Sequence, residues 1–186
     1  MNRQGSYIEP HTALGNRRTF YFDDDGATPN SRLPVLFYHL RLDERADNAA
    51  AFEALFSEHQ WLPLWRAGIF DYQHYHSNAH ETLGVVSGHA RVILGGAQGQ
   101  TLALKRGDVL VLAAGTGHCC VDSSEDFLVV GAYPLGQQDY DIQRPSPASH
   151  DRCQARIAQV PLPRQDPVTG PDGWLNSAWH VLTDPA

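Results

Sequence analysis

Histidine is the residue type that stands out in this chain: ten are present, and His74, His76, His80 and His89 crowd into one short stretch. In an extended strand alternate side chains face the same way, so His74 and His76 project together as a two-nitrogen clip. The chain then passes through Ser77-Asn78-Ala79-His80 to Glu81, where a carboxylate can return to the same point. His118 follows the glycine turn Gly115-Thr116-Gly117 and can add a third imidazole. Three neutral imidazoles and one carboxylate suit a borderline divalent ion, with positions left for water or substrate if the ion is six-coordinate. His80 competes with Glu81 for the fourth position; neighbouring strand residues point to opposite faces, so an inward Glu81 sends His80 outward. His89, next to Gly88 in a turn, reads as a surface residue.

Such a site needs short strands to hold it. Candidate strands cover 34–42, 69–76, 81–87, 90–94, 100–104, 109–112, 118–121 and 127–133, punctuated by Ser87-Gly88, Gly95-Gly96, Arg106-Gly107-Asp108 and Ser123-Ser124. With no helix between the strands after residue 69, the connections must be antiparallel hairpins, which predicts an all-β sandwich or barrel. Leu83, Val85, Leu102, Leu104, Leu110, Leu112 and Val129 fall at period two as its core. Cys120 shares the parity of His118 and should point inward, as a small buried hydrophobe in preference to a redox-sensitive thiol beside the site, since no base or cation nearby in sequence lowers its pKa. The Gly95-Gly96-Ala97-Gln98-Gly99 run has no lysine and no helix after it, so it reads as a hairpin loop rather than a phosphate cradle. One helix is predicted over 44–60, where alanines, Phe52, Leu55 and Phe56 recur at helical spacing behind Asp43 as N-cap, and Trp61-Leu62-Pro63 ends it. The organisation is then an N-terminal arm over 1–32, a barrel over 33–135, and a Pro-rich extension over 136–186 packing on the barrel or on a partner. A short helix fits near 149–157.

The spacing also carries a resemblance. Gly68, five residues, His74-Tyr75-His76, four residues, Glu81, six residues and Gly88 resemble the first motif of the cupin superfamily. Gly107, five residues, Ala113-Ala114-Gly115-Thr116-Gly117-His118, three residues and Asp122 resemble the second, with Ala113 in place of its proline and Asp122 in place of its asparagine. The likeness runs over residues 68–134, and the flanks are similar to a group of bacterial single-domain metal-binding cupins. It implies a double-stranded β-helix, or jelly-roll barrel, with a metal at its centre. Carried over position by position, the ligands are His74, His76, Glu81 and His118, holding one divalent transition metal per chain (Fe, Mn, Ni or Zn). Neither departure falls on a ligand position.

Composition narrows the function. A net charge of -7 without any Lys/Arg cluster excludes generic binding to nucleic acid. No apolar stretch is long enough to span a bilayer, and the polar N-terminus lacks the core of a signal peptide, so a cytoplasmic protein is expected. Three cysteines without a CxxC spacing point to reduced thiols. The remaining reading is a metal-dependent enzyme acting on a small oxygen-rich molecule with dioxygenase- or isomerase-type chemistry. Its alternative is a non-catalytic module on the same barrel, a metal or small-ligand sensor or storage protein, because the fold alone does not decide function. A metal-free epimerase-like site is disfavoured by the intact ligand set. Sheet edges and long terminal segments lead to the expectation of a homodimer, with the arm or tail crossing between subunits.

Overall fold

The computed structural model describes residues 8–9, 16–44 and 47–180. Its strands are β1 (Ile8–Glu9), β2 (Arg18–Phe20), β3 (Val35–His39), β4 (Arg41–Leu42), β5 (Trp61–Ala67), β6 (Glu81–Ser87), β7 (His89–Leu94), β8 (Gln100–Lys105), β9 (Asp108–Leu112), β10 (His118–Ser123) and β11 (Leu128–Pro134). Six of them form one sheet in the order β2-β3-β9-β6-β11-β5, and three form a second in the order β10-β7-β8. All the pairings are antiparallel, as hairpin connections require. β1 and β4 form a third, two-stranded sheet, and their Ile8 and Leu42 pack in one apolar cluster with Leu36 and Tyr38 of the large sheet.

Alternation decides which side chains reach the site. Phe37, Leu83, Val85, Leu110, Leu112 and Val129 of the larger sheet pack between the sheets with Val92, Leu94, Leu102 and Leu104 of the smaller one. The residues interleaved with them, Leu36, Tyr38, Val109, Val111, Val130 and Ala132, face the other way into a separate cluster. That second face is covered by helix α1 (Asn48–Glu58) and by helix α3 (Trp174–His180). A sheet covered on both faces is why β9 reads apolar from Val109 to Leu112 and is buried at every residue.

Helix α1 is shorter than the expected 44–60. Asp47, not Asp43, is its N-cap, and its carboxylate accepts from the Ala50 N–H at 3.1 Å. Residues 45 and 46 of the expected span lie outside the described residues, as do 1–7 and 10–15 of the arm and 181–186 of the extension. At its far end Gln60 takes a left-handed φ of 65° and turns the chain into β5. Gly84 lets the helix sit close: a Cβ there would lie 2.7 Å from the Phe52 ring.

Three elements differ from the expectation. Trp61–Ala67 forms β5 instead of a break, and Pro63 is tolerated there because β5 is the edge of its sheet. Residues 69–76 make no regular strand, only single bridges at His74 and Tyr75. The extension contains helix α2 (His150–Ile157), near the expected 149–157, and also α3, which the sequence reading lacked. Leu175 and Trp179 of α3 are buried in the outer cluster, and the Trp179 indole N–H donates to the Pro34 carbonyl at 2.9 Å. Asp166 organises this segment: its carboxylate accepts from the N–H groups of Val168, Thr169 and Leu175 and from the Tyr38 hydroxyl. No helix among the described residues is long and apolar enough to cross a membrane.

Candidate metal centre

The two histidine-bearing segments are stitched together through their backbones. His74 N–H donates to the His118 carbonyl at 3.1 Å, and His118 N–H donates back at 2.9 Å, which brings the two rings to a centroid distance of 4.1 Å. His76 lies two residues on and shares the same side. Its carbonyl accepts from the Gly115 N–H at 2.8 Å, fixing the turn that leads into β10; that turn needs a φ of 93° at Gly115, where glycine carries no penalty. Glu81 opens β6 with the inward parity of Leu83 and Val85.

Each imidazole is held in the same tautomer. The Nδ1 atoms of His74 and His118 lie 3.0 Å from the carbonyls of Tyr72 and Thr116, and that of His76 contacts the carbonyl of Asp141. A carbonyl only accepts, so Nδ1 carries the proton and the lone pair is left on Nε2. Ligand atoms of the three histidines lie within 4.8 Å of one another, the one such convergent group among the described residues. Glu81 adds an oxygen: its Oε2 lies 3.2 Å from Nε2 of both His76 and His118. All four residues are buried.

Lone pairs facing one another in a dry pocket repel unless a cation or a proton sits among them. Glu81 Oε2 and His76 Nε2 have no well-aligned hydrogen-bond partner, an orphaned buried pair that a bound cation would satisfy. Burial, helped by the neighbouring His118, pushes the His74 pKa down to about 3 and keeps that ring neutral, as a ligand must be. Burial also opposes charge on His76, but the Glu81 carboxylate outweighs it and the net shift is upward. For Glu81 burial works upward, and the His76 and His118 imidazoles overcome it and hold the carboxyl well below its usual range. The electrostatic demand of the site is therefore for positive charge, and three imidazoles with a carboxylate fit a divalent transition ion.

Further residues complete the surroundings. The Tyr133 hydroxyl donates to Glu81 Oε1 at 2.6 Å and accepts from the Trp65 indole N–H at 2.9 Å. Gly131 makes room for that indole, since a Cβ there would stand 2.1 Å from the ring. Tyr140 stacks on Tyr133 with centroids 4.0 Å apart. Asp141 locks the His76-Ser77 corner: besides its carbonyl on His76, its carboxylate accepts from the Ser77 N–H and hydroxyl. Trp65, Gly131, Tyr133, Tyr140 and Asp141 are all absent from the site expectations drawn from sequence. Tyr133 shares the parity of Val129 and was within reach of that signal; Asp141 has no local signature. His74, His76, Glu81 and His118 open onto a cavity of about 250 Å³ with a mostly apolar wall.

His80 is on the far side of the sheet from Glu81, as alternation requires, yet it is buried rather than exposed. Its Nδ1 accepts from the Ala114 N–H at 2.9 Å, and its ring packs 4.9 Å from Trp179. Burial pushes its pKa down to about 4, against the pull of the Pro161 carbonyl. His89 is exposed, and Cys120 sits within the inner core. Asp122, at the asparagine position of the second motif, pairs with Arg91 of β7 on the surface.

A family model described as cupin matches residues 71–138 of the chain. Over 163 residues the chain is 37% identical to the uncharacterized protein YjlB of Bacillus subtilis strain 168, an alignment covering 87% of this chain and 96% of that protein. Among solved structures, it is similar to a conserved protein with a double-stranded β-helix domain from Klebsiella pneumoniae subsp. pneumoniae MGH 78578. That match has 15% identity and a TM-score of 0.36, covering 72% of this chain and 82% of the other. Bacillus subtilis oxalate decarboxylase matches with 18% identity and a TM-score of 0.32, over 61% of this chain and 24% of the enzyme.

Proposed function

Because this chain belongs to the cupin family, we propose that it is a metal-dependent cupin in which His74, His76, Glu81 and His118 hold one divalent transition ion (Fe, Mn, Ni or Zn) per chain. The observation that carries this reading is the convergence of three buried imidazoles, each with its Nδ1 against a carbonyl, beside a Glu81 oxygen that lies 3.2 Å from two of them and has no well-aligned hydrogen-bond partner. When bound, such an ion polarises a coordinated carbonyl or enediol, or brings a substrate and dioxygen together, which makes isomerase- and dioxygenase-type chemistry available.

The chain's own residues have separate tasks in this reading. Tyr133 keeps its proton on its hydroxyl oxygen, since burial and the Glu81 charge both raise its pKa, and so it holds Glu81 Oε1 in place. The apolar wall around the cavity excludes water and orients a small molecule whose oxygen atoms face the imidazoles.

Elemental analysis of protein purified without an affinity tag tests the proposal. One Fe, Mn, Ni or Zn per chain is expected, and it should be lost in the His74→Ala/His76→Ala double variant while circular dichroism stays that of the folded chain. Unchanged metal stoichiometry in the double variant overturns the assignment.

A further inference from the structure

We propose that the molecule bound at this centre has a single oxygen-donor head and an apolar body the size of one substituted ring. The inference rests on the metal-binding reading above and deepens it by naming the class of ligand.

Three features of the cavity lead there. The first is charge. Its ionisable lining consists of Glu81 and the three histidines at the inner end and the tyrosines, and no lysine or arginine contributes to the wall. A ligand with a second carboxylate or a phosphate would bury that charge without a partner, which is strongly unfavourable. Arg144 does not supply one, because its guanidinium lies 3.8 Å over the Tyr72 ring and is not part of the lining.

The second feature is hydrogen bonding. Of the polar side chains that line the cavity besides the four at its inner end, Trp65 is committed to Tyr133 and Tyr133 to Glu81, which leaves the Tyr140 hydroxyl to meet a ligand. A hydroxyl-rich sugar entering here would leave much of its polar surface unmatched.

Shape is the third. An apolar cavity of about 150 Å³ is enough to take benzene, so the 250 Å³ here has room for one ring with its head group. Phe70 and Ile142 line the same cavity, and each remains 46% exposed, so an apolar edge faces solvent where a ligand would enter. Phe70 is also braced by stacking on Tyr72, with centroids 4.9 Å apart and planes 15° apart, and meets His74 edge to face.

Three hydroxamates with the same metal-binding head test the proposal by binding alone: acetohydroxamate with almost no body, benzohydroxamate with a ring, and succinic acid monohydroxamate with a second carboxylate. On the metal-loaded protein, calorimetry should find benzohydroxamate bound about tenfold or more tighter than acetohydroxamate through burial of its ring, and the carboxylate-bearing probe no tighter than acetohydroxamate. Ile142→Arg, a change at a half-exposed position, should narrow the gap between the ring and the carboxylate probes several-fold, with an unchanged metal stoichiometry as the check that the centre is intact. Metal uptake accompanied by a preference for the carboxylate probe, or a gap that Ile142→Arg leaves unchanged, overturns the ligand class alone. Failure of the protein to take up metal overturns this inference together with the reading on which it rests.

Discussion

Tyr133 and Glu81 meet between the neighbouring strands β11 and β6, where the phenol donates to Oε1 at 2.6 Å while Oε2 turns towards the imidazoles of His76 and His118 at 3.2 Å each. One hydrogen bond thus divides the labour between the two oxygens of a single carboxylate. Trp65 stands behind the phenol, so the orientation of Glu81 is supported by a chain of contacts reaching the sheet edge.

Tyr133→Phe keeps the ring and removes only the donor. Metal affinity should fall about 10–100-fold, the usual cost of losing an outer partner of a ligand. The metal-free protein should lose about 1–3 kcal/mol from an unsatisfied Oε1. Chelator competition and urea titration measure the two effects separately.

Glu81→Asp and His80→Ala separate neighbours on opposite faces of one sheet. Shortening Glu81 by one carbon should withdraw its oxygen and weaken metal binding while the fold survives. His80→Ala should keep the metal and lower stability, by about 1–3 kcal/mol, because Ala114 N–H loses its buried acceptor and Trp179 loses a packing partner. If elemental analysis finds metal kept in Glu81→Asp and lost in His80→Ala, the centre is a four-histidine one.

Asp141→Ala leaves the backbone carbonyl on His76 but releases the side-chain contacts to Ser77 and the ion pair with Arg156. A loss of about 1–3 kcal/mol is expected, together with weaker metal binding as His76 becomes free to turn. Burial tends to raise the pKa of Asp141, but its hydrogen bonds from Ser77 and Gln143 prevail and lower it. Its contribution is accordingly present above the unfolded carboxylate pKa and disappears as pH falls through the depressed folded value. Stability curves of native protein and variant should converge in acid.

His150 opens α2 between two carboxylates, Asp151 and Asp24, whose hydrogen bonds raise its pKa. A histidine with a raised folded value gives stability that is fully present below its unfolded pKa and is lost as pH climbs through the folded one. Hydrogen-exchange protection of α2 should therefore be greater at about pH 6 than at about pH 8, and Asp24→Asn should reduce the difference. Equal protection in native protein at both pH values would count against the pairing.

The outer strands β8 and β5 each leave one side unpaired in their sheets. Such edges are commonly covered by a second chain, so light scattering at micromolar concentration should give a homodimer of 20.6 kDa chains. A monomer mass rules this out.

How far the sequence discloses the molecule depends on the range of the forces involved. β6 is legible to the residue because Glu81, Leu83 and Val85 alternate with Thr82 and Gly84 between two buried faces. The histidine clip is legible although 69–76 is not a strand: bridges at His74 and Tyr75 are enough to preserve alternation through His76. β5 was hidden by Pro63, whose meaning depends on an edge position that local sequence does not reveal. The burial of His80 was missed because the cover over it, Trp179, arrives from α3 far along the chain. Asp141 is 65 residues from the ring it steadies, and no pattern of period or spacing connects the two.

That separation has a temporal side. His76 acquires its fixed orientation only when Asp141 reaches it, and Tyr75 gains its backbone bridge only from Gln143, both residues beyond the last barrel strand. A nascent chain that has just finished its barrel already displays all four prospective ligands, but without the clasp that steadies one of them. An ion held as proposed above would thus find its full setting only after this downstream stretch had emerged and docked, which would place metallation late in biogenesis.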